Sequence, residues 1–477
     1  MAMDSFRDSN SINNLPDEIL GKILSLLPTN VAATTSILSK RWRNLLTQID
    51  SLYFDDAMVV YPNEEEALSG SDRFCDFVDK TFALLSNSHM KKFSLRHVPR
   101  LDHYDAYHRW ISTAMEQERG LLELHLHADP RCYFVEIERE LFTSNTLVKL
   151  TLSGEYSLEV KRVFFPALKS LSLLSVSTLN YDNYCCLLDG CPALEVLYIR
   201  DAGHLDSPCC GAFVKSSSIK RLVVFVNLPY SKEHHKVSCF EAPSLVYLDY
   251  SSFVFGNYQS VDLESLVEAR LNLRLWESYN NYGSSDDDGD DYSDYIVHHY
   301  YGDVTNLVAG ITNITTLHLS PDSLEAIYFL CKSMPVFNNL LNLYIESNKE
   351  KGWQVMPLLL KSCPNLHTLV FKGLVHKVTN RCGDLCACIP KKQRVIVREQ
   401  EEVCCLLTCQ VKVLEISEYR GSFQELKQVR HFLGKLECLE TVKVGVVADT
   451  ANRNDFLRAI LLTLPRLSSK CNNIQFI

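Results

Sequence analysis

The sequence predicts an α/β chain: a small N-terminal three-helix unit, then a curved solenoid of parallel strands, ending in a repeat-like C-terminal region. Three observations predict it. Apolar residues recur at helical spacing between Ser11 and Tyr53. An apolar-x-x-apolar-x-apolar pattern then recurs thirteen times, from Met90 to Leu439. Finally, 477 residues exceed what a single hydrophobic core organises, about 250–300, unless the body is a repeat array.

Composition narrows the function classes. With 46% hydrophobic and 22% charged residues the chain is an ordinary globular one. A formal net charge of −10 and the lack of any Lys/Arg-rich run argue against nucleic-acid binding, which draws its affinity from clustered cations. The polar opening MAMDSFRDSNSINN lacks the apolar core of a signal peptide, and no run of 18 apolar residues could span a bilayer. The expectation is a cytoplasmic and/or nuclear protein without membrane partners. In a reducing compartment the 18 cysteines are expected to be mostly buried small hydrophobes.

In the first element, Pro16 suits a first helical turn, and Asp17 and Glu18 follow where the macrodipole favours negative charge. Ile19, Ile23, Leu26 and Leu27 then fall on one apolar face, and Pro28 is expected to end that helix. A second helix is expected over Val31 to Leu38. Ser39 can cap a third, KRWRNLL, carrying Trp42, Leu45 and Leu46. Three helices in about 40 residues bury too little surface to be comfortable alone, so a partner is expected.

The segment LPDEILGKILSLLPTNVAATTSILSKRWRNLL resembles an F-box, in its Leu-Pro-x-Glu-Ile opening, its Leu-Pro break and its Leu-Ser-Lys-Arg-Trp-Arg close. The resemblance assigns residues 8–54 to this domain. It implies docking onto a Skp-type adaptor, itself held by a cullin scaffold that carries a RING subunit and a ubiquitin-conjugating enzyme. Carried over by position, Leu15, Pro16, Ile19, Ile23, Leu27, Pro28, Val31, Leu38 and Trp42 are the adaptor-facing or motif-supporting residues. Residues 55–89 are a connector, with PNEEEALSGSD reading as a polar loop and FCDFVDKTFALL as an amphipathic helix.

From residue 90 the pattern starts at Met90, Leu121, Leu147, Leu168, Leu194, Ile219, Leu245, Leu266, Ile314, Leu340, Leu366, Val411 and Leu439. Most steps fall in the 20–29 range of leucine-rich repeats, and the steps of 48 and 45 residues mark insertions. Each pattern supplies a short strand whose alternate residues point into a shared core. Helical or irregular returns join the strands, and Pro192, Pro335 and Pro364 stop three of them. The repeats, residues 90–375, resemble the irregular plant-type repeats of F-box proteins. Residues 411–477 resemble the FBD domain that follows such repeats: Arg420 and Gly421 follow a strand, a helix runs from about Gln424 to Leu433, a strand ends at Val446, and Phe456 to Leu464 forms the last helix. The order points to the plant F-box/LRR/FBD family.

Residues flanking the inward positions face outward. Among them Tyr198, Arg200, Arg221, Phe225 and Tyr247 gather aromatic and Arg side chains on three successive strands, the types that anchor interfaces. They are the candidate substrate-binding patch; the alternative is an aromatic ladder that only stabilises the strands.

The insertion 277–302 packs six Asp between Asp286 and Asp294 and reads as a mobile acidic loop. It lacks the Glu that would close a calcium site. In the Cys-rich insertion 376–410, His376, Cys382, Cys386, Cys388, Cys404, Cys405 and Cys409 lie close in sequence. C-x3-C-x-C is not a standard zinc pair, so buried reduced thiols, with no metal or other cofactor, are the expectation.

No phosphate loop, nucleophile elbow, zinc-protease or kinase motif is present, and His234-His235 and His298-His299 read as exposed. A non-enzymatic role is expected. The leading one is the substrate-recognition subunit of an SCF-type (Skp-cullin-F-box) ubiquitin ligase, promoting ubiquitination and proteasomal degradation of a target protein that the sequence does not name. The other is a leucine-rich-repeat scaffold acting independently of the ligase.

Overall fold

The computed structural model describes residues 12–55, 64–85, 88–97, 104–116, 120–129, 135–137, 142–154, 156–158, 162–176, 181–200, 213–226, 236–276, 300–387, 405–471 and 474–477. Most of the acidic insertion, Cys388, Cys404 and the His234-His235 and His298-His299 pairs lie outside the described residues. The chain divides into two compact units, 1–210 and 211–477.

Unit 1 opens with α1 (Asp17–Leu24), α2 (Thr29–Thr34) and α3 (Lys40–Leu45). Pro16 stands just before α1, where its missing N–H deprives the helix of no bond. The first helix ends at Leu24 rather than at Pro28, with the Ser25 hydroxyl donating to the Gly21 carbonyl at 2.9 Å. Pro28 instead leads into α2, which therefore begins before Val31 and ends before Leu38. Ser39 caps α3 as expected: its hydroxyl oxygen accepts the Trp42 N–H at 3.3 Å.

The buried face of α1 differs from the expected one. Leu20 and Leu24 join Ala32, Trp42, Leu45 and Ile49 in a common core, whereas Ile19 and Leu26 are exposed and Ile23 and Leu27 half-buried. Gly21 explains the rotation. A Cβ there would meet the Gln48 side chain at 2.7 Å and its carbonyl at 2.9 Å, so the helix can approach the Leu46–Gln48 turn only on this side. Periodicity alone fits either face.

Ile49, Leu52 and Phe54 repeat the apolar pattern of the solenoid within residues assigned to the F-box. They place a strand, β1 (Ser51–Phe54), which pairs in parallel with β2 (Lys92–His97) from Ser51↔Lys92 to Phe54↔Leu95. The helical box thus feeds directly into the strand stack. Between them α4 (Glu64–Leu84) takes in most of the expected polar loop. Phe54 packs within 6.4 Å, centroid to centroid, of Phe74, Phe77, Phe82 and Phe93.

α5 (Tyr104–Met115), β3 (Glu123–Ala128), β4 (Val135–Glu136), β5 (Lys149–Ser153), β6 (Tyr156–Ser157), β7 (Ser170–Leu174), α6 (Tyr181–Asp189) and β8 (Val196–Arg200) complete unit 1. Its main strands run in the order β1-β2-β3-β5-β7-β8, all parallel, and β4 pairs with β6 separately.

Unit 2 begins with β9 (Phe213–Lys215), β10 (Arg221–Phe225), β11 (Val237–Glu241), β12 (Tyr247–Phe253), β13 (Asn257–Asp262) and β14 (Glu268–Arg274). Here the returns are not helical: β9, β11 and β13 form a second parallel sheet, burying Val214, Phe240 and Tyr258. From α7 (Thr305–Gly310) onward strands alternate with helices. The order is β15 (Thr316–Leu319), α8 (Pro321–Leu330), β16 (Asn342–Glu346), α9 (Met356–Lys361), β17 (Thr368–Lys372), α10 (Cys405–Thr408), β18 (Val413–Tyr419), α11 (Phe423–Leu433), β19 (Thr441–Val446), α12 (Ala451–Leu462) and β20 (Ile474–Phe476).

Every strand predicted from the thirteen pattern starts is present, and each opens two residues after its start, from Lys92 after Met90 to Thr441 after Leu439. All thirteen starting residues are buried. In the C-terminal region Gly421 adopts φ +76°, and a Cβ there would strike the Leu457 side chain, so glycine is required where β18 turns toward α11.

Candidate functional site

On the F-box, the core leaves a set of apolar side chains in water. Leu26 is 85% exposed, Ile37 83% and Leu38 68%, and Ile12, Ile19 and Val31 are also exposed. Of the residues carried over by resemblance, Ile19, Val31, Leu38 and Pro16 are exposed, while Leu15, Ile23, Leu27 and Pro28 are half-buried. Trp42 is buried in the common core and supports the motif from within. Leu26, expected on the apolar face of the first helix, and Ile37 are two of the most exposed; only the fold shows that they find no place inside. Arg41 locks the entry of the box, its guanidinium donating to the Leu15 carbonyl and to Asp17 Oδ1, the latter at 2.8 Å from Nε.

Outward-facing residues of the strands supply further candidates in each unit by itself. Tyr198 (half-buried) and Arg200 (exposed) lie on β8 of unit 1. Within unit 2, β10 and β12 bring Arg221 opposite Tyr247, with the guanidinium 3.7 Å from the ring centroid; Phe225 lies farther along β10, opposite Ser251. Arg270 on β14 reaches the same Tyr247 ring from the other side, at 5.7 Å. Glu268 accepts Arg270 Nε–H at 2.9 Å and lies 3.3 Å from His318 Nε2. The His318 ring stacks on Tyr344, 4.1 Å between centroids.

One band of aromatic and charged groups therefore crosses five strands, β10, β12, β14, β15 and β16, or about 19 Å at the usual strand spacing. Its electrostatics follow from partial burial. Desolvation raises the Asp249 carboxyl above its ordinary range against the pull of Arg270 and Arg221. It also lowers His318, with Arg270 acting in the same direction. Arg270, Glu268, His318 and Tyr344 belong to this band beside Arg221, Phe225 and Tyr247, the candidate patch residues that fall in this unit.

A third cluster comes from the Cys-rich insertion. His376, Cys382 and Cys386 are buried together, with His376 Nε2 3.0 Å from Cys386 Sγ. The Cys386 thiol, aided by His376, draws the Cys382 thiol well below its ordinary value despite burial. Cys405 and Cys409 lie apart from the His376 trio. Asp384 accepts from the Cys405 N–H at 2.8 Å and from its thiol at 3.0 Å, and burial pushes the Cys409 thiol up to about 11.

Short helices with an exposed apolar surface, continuous through β1 with a leucine-rich-repeat stack, define the class of F-box repeat proteins. Residues 12–53 match the F-box domain model, and residues 107–254 match the model described as FBD-associated F-box protein At5g56370, LRR repeats. Three Arabidopsis thaliana proteins align over nearly the whole chain. F-box/LRR-repeat protein At1g48400 is 66% identical, covering all of both chains. Putative F-box protein At1g64540 is 50% identical, over 98% of this chain and 99% of its own. F-box protein At4g27050 is 49% identical, over 98% of this chain and 100% of its own. The chain belongs to the plant F-box/LRR/FBD family.

Proposed function

We propose that this chain is the substrate receptor of an SCF-type ubiquitin ligase. The F-box docks on a Skp-type adaptor, and through it on a cullin and a RING subunit. The strand face holds a target protein, and the complex promotes the target's ubiquitination and proteasomal degradation. The observation that carries the reading is the exposure of Leu26, Ile37 and Leu38 beside an intact small core. So many large apolar side chains left in water by so small a domain favour a protein contact. The chain's own contribution is non-catalytic: it holds a target lysine near the charged conjugating enzyme, and proximity alone supplies a large rate effect. The proposed site of action is the cytoplasm and/or nucleus; among the described residues no helix is long and apolar enough to cross a membrane.

Co-precipitation of the full chain with Skp-type adaptor and cullin from plant cells tests the reading. Recovery of both, lost when residues 12–53 are deleted, supports it. A folded chain that recovers neither overturns it.

A further inference from the structure

We propose that His376, Cys382 and Cys386 are ligands of a zinc ion that pins the Cys-rich segment against the C-terminal repeats. The three potential donor atoms all lie within 4.8 Å of one another, on three buried side chains. A tetrahedral zinc with Zn–S of about 2.3 Å and Zn–N of about 2.0 Å sets its donors about 3.5–3.8 Å apart. The 3.0 Å separation of His376 Nε2 and Cys386 Sγ and the 4.8 Å outer limit bracket that range.

The surroundings orient the donors. The Leu374 carbonyl, which can only accept, lies 3.1 Å from His376 Nδ1, so Nδ1 carries the proton and Nε2 presents its lone pair to the thiols. This backbone contact is the outer support that metal-bound histidines ordinarily have. Trp353 stacks on the imidazole at 3.8 Å and holds its plane. Gly383, at φ +58°, makes the turn that lets Cys382 and Cys386 face the same histidine. Thr379 Oγ1 stands 3.6 Å from Cys382 Sγ, within reach of a thiolate.

The donor set selects the ion. Two thiols and an imidazole suit zinc and exclude hard cations such as magnesium and calcium, which take oxygen ligands. Both sulfurs bind as thiolates, so any proton either still carries is released to solvent on binding. The joined parts then make sense: Gln428 of α11 accepts the Ala387 N–H at 2.9 Å and donates to the Leu385 carbonyl at 2.7 Å, and His431 contacts the Asp384 carbonyl. Zinc at the trio would fix this segment between β17 and α11, where the repeat spacing is longest but one.

The test uses the full-length chain, without a histidine tag, equilibrated with zinc and then gel-filtered. Elemental analysis should find about one zinc ion per chain. Cys382→Ser and Cys386→Ser should each lower affinity by about tenfold or more, since even outer-sphere changes have effects of that size. Cys438→Ser, in a different repeat, should retain the metal. Cobalt added to the metal-free wild type needs no variant: tetrahedral ligand-field bands with thiolate charge-transfer bands are expected. A folded wild type that binds no zinc, a cobalt complex without thiolate bands, or unchanged zinc in both serine variants would each overturn the assignment.

Discussion

The guanidinium of Arg221 sits 3.7 Å over the ring of Tyr247, its cross-strand partner between β10 and β12. A contact of this kind at a solvent-facing site contributes about 0.5–1 kcal/mol. Replacing Arg200, Arg221 and Phe225 with Ala should therefore leave circular dichroism and adaptor binding intact. Target capture should fall by roughly 2 kcal/mol or more if these are interface anchors. Proximity labelling in plant cells with degradation blocked compares wild type with the triple variant. Equal recovery of the same partners would leave these residues as strand-stabilising contacts only.

The F-box separates residues that hold it together from residues it leaves in water. Ile37→Asp with Leu38→Asp should abolish adaptor capture at unchanged melting temperature, because both side chains are exposed. Leu15→Ala with Pro16→Ala should also abolish capture while the repeats stay folded. Leu24→Ala, inside the core, should instead destabilise the box by about 2–5 kcal/mol. Undiminished adaptor binding by the Asp pair would remove this face from consideration.

Two groups of the strand face make stability depend on pH in opposite senses. His318 has a folded value below the ordinary one, mainly through desolvation, so the unfolded chain binds the proton more readily. Its contribution is full above the unfolded value of about 6.5 and is lost as pH falls through it; His318→Gln should flatten that loss. Asp249 has a folded value above the ordinary one, again through desolvation, so its ionisation opposes folding: the penalty builds as pH rises through the unfolded value and is complete above the folded one. Asp249→Asn should raise the melting temperature at pH 7 and leave it unchanged near pH 3. Melting curves across that range check both signs.

Deleting Ser284 to Asp294 should leave the melting temperature nearly unchanged, since closure entropy changes slowly with loop length. The flanks are separately anchored, Trp276 packing on Tyr301 at 6.3 Å and Tyr300 stacking on Phe329 at 4.2 Å. A large fall in calorimetry would show that the deleted residues pack against the body.

Sequence by itself determined the repeat register. Side chains alternate between the two faces of a strand, so Leu343 and Ile345 after Leu340 locate β16 to the residue. The Ser39 cap, whose hydroxyl accepts the Trp42 N–H, is equally local. Tertiary structure alone decided which face of α1 is buried, because Gly21 against Gln48 is a contact between distant residues that periodicity does not encode. It alone showed that β9, β11 and β13 replace helical returns, since short apolar runs suit either state. The same holds for His376 and Cys386. Their spacing matches no standard metal pair, and only the left-handed turn at Gly383 and the packing of Trp353 bring an imidazole nitrogen to 3.0 Å from a thiol.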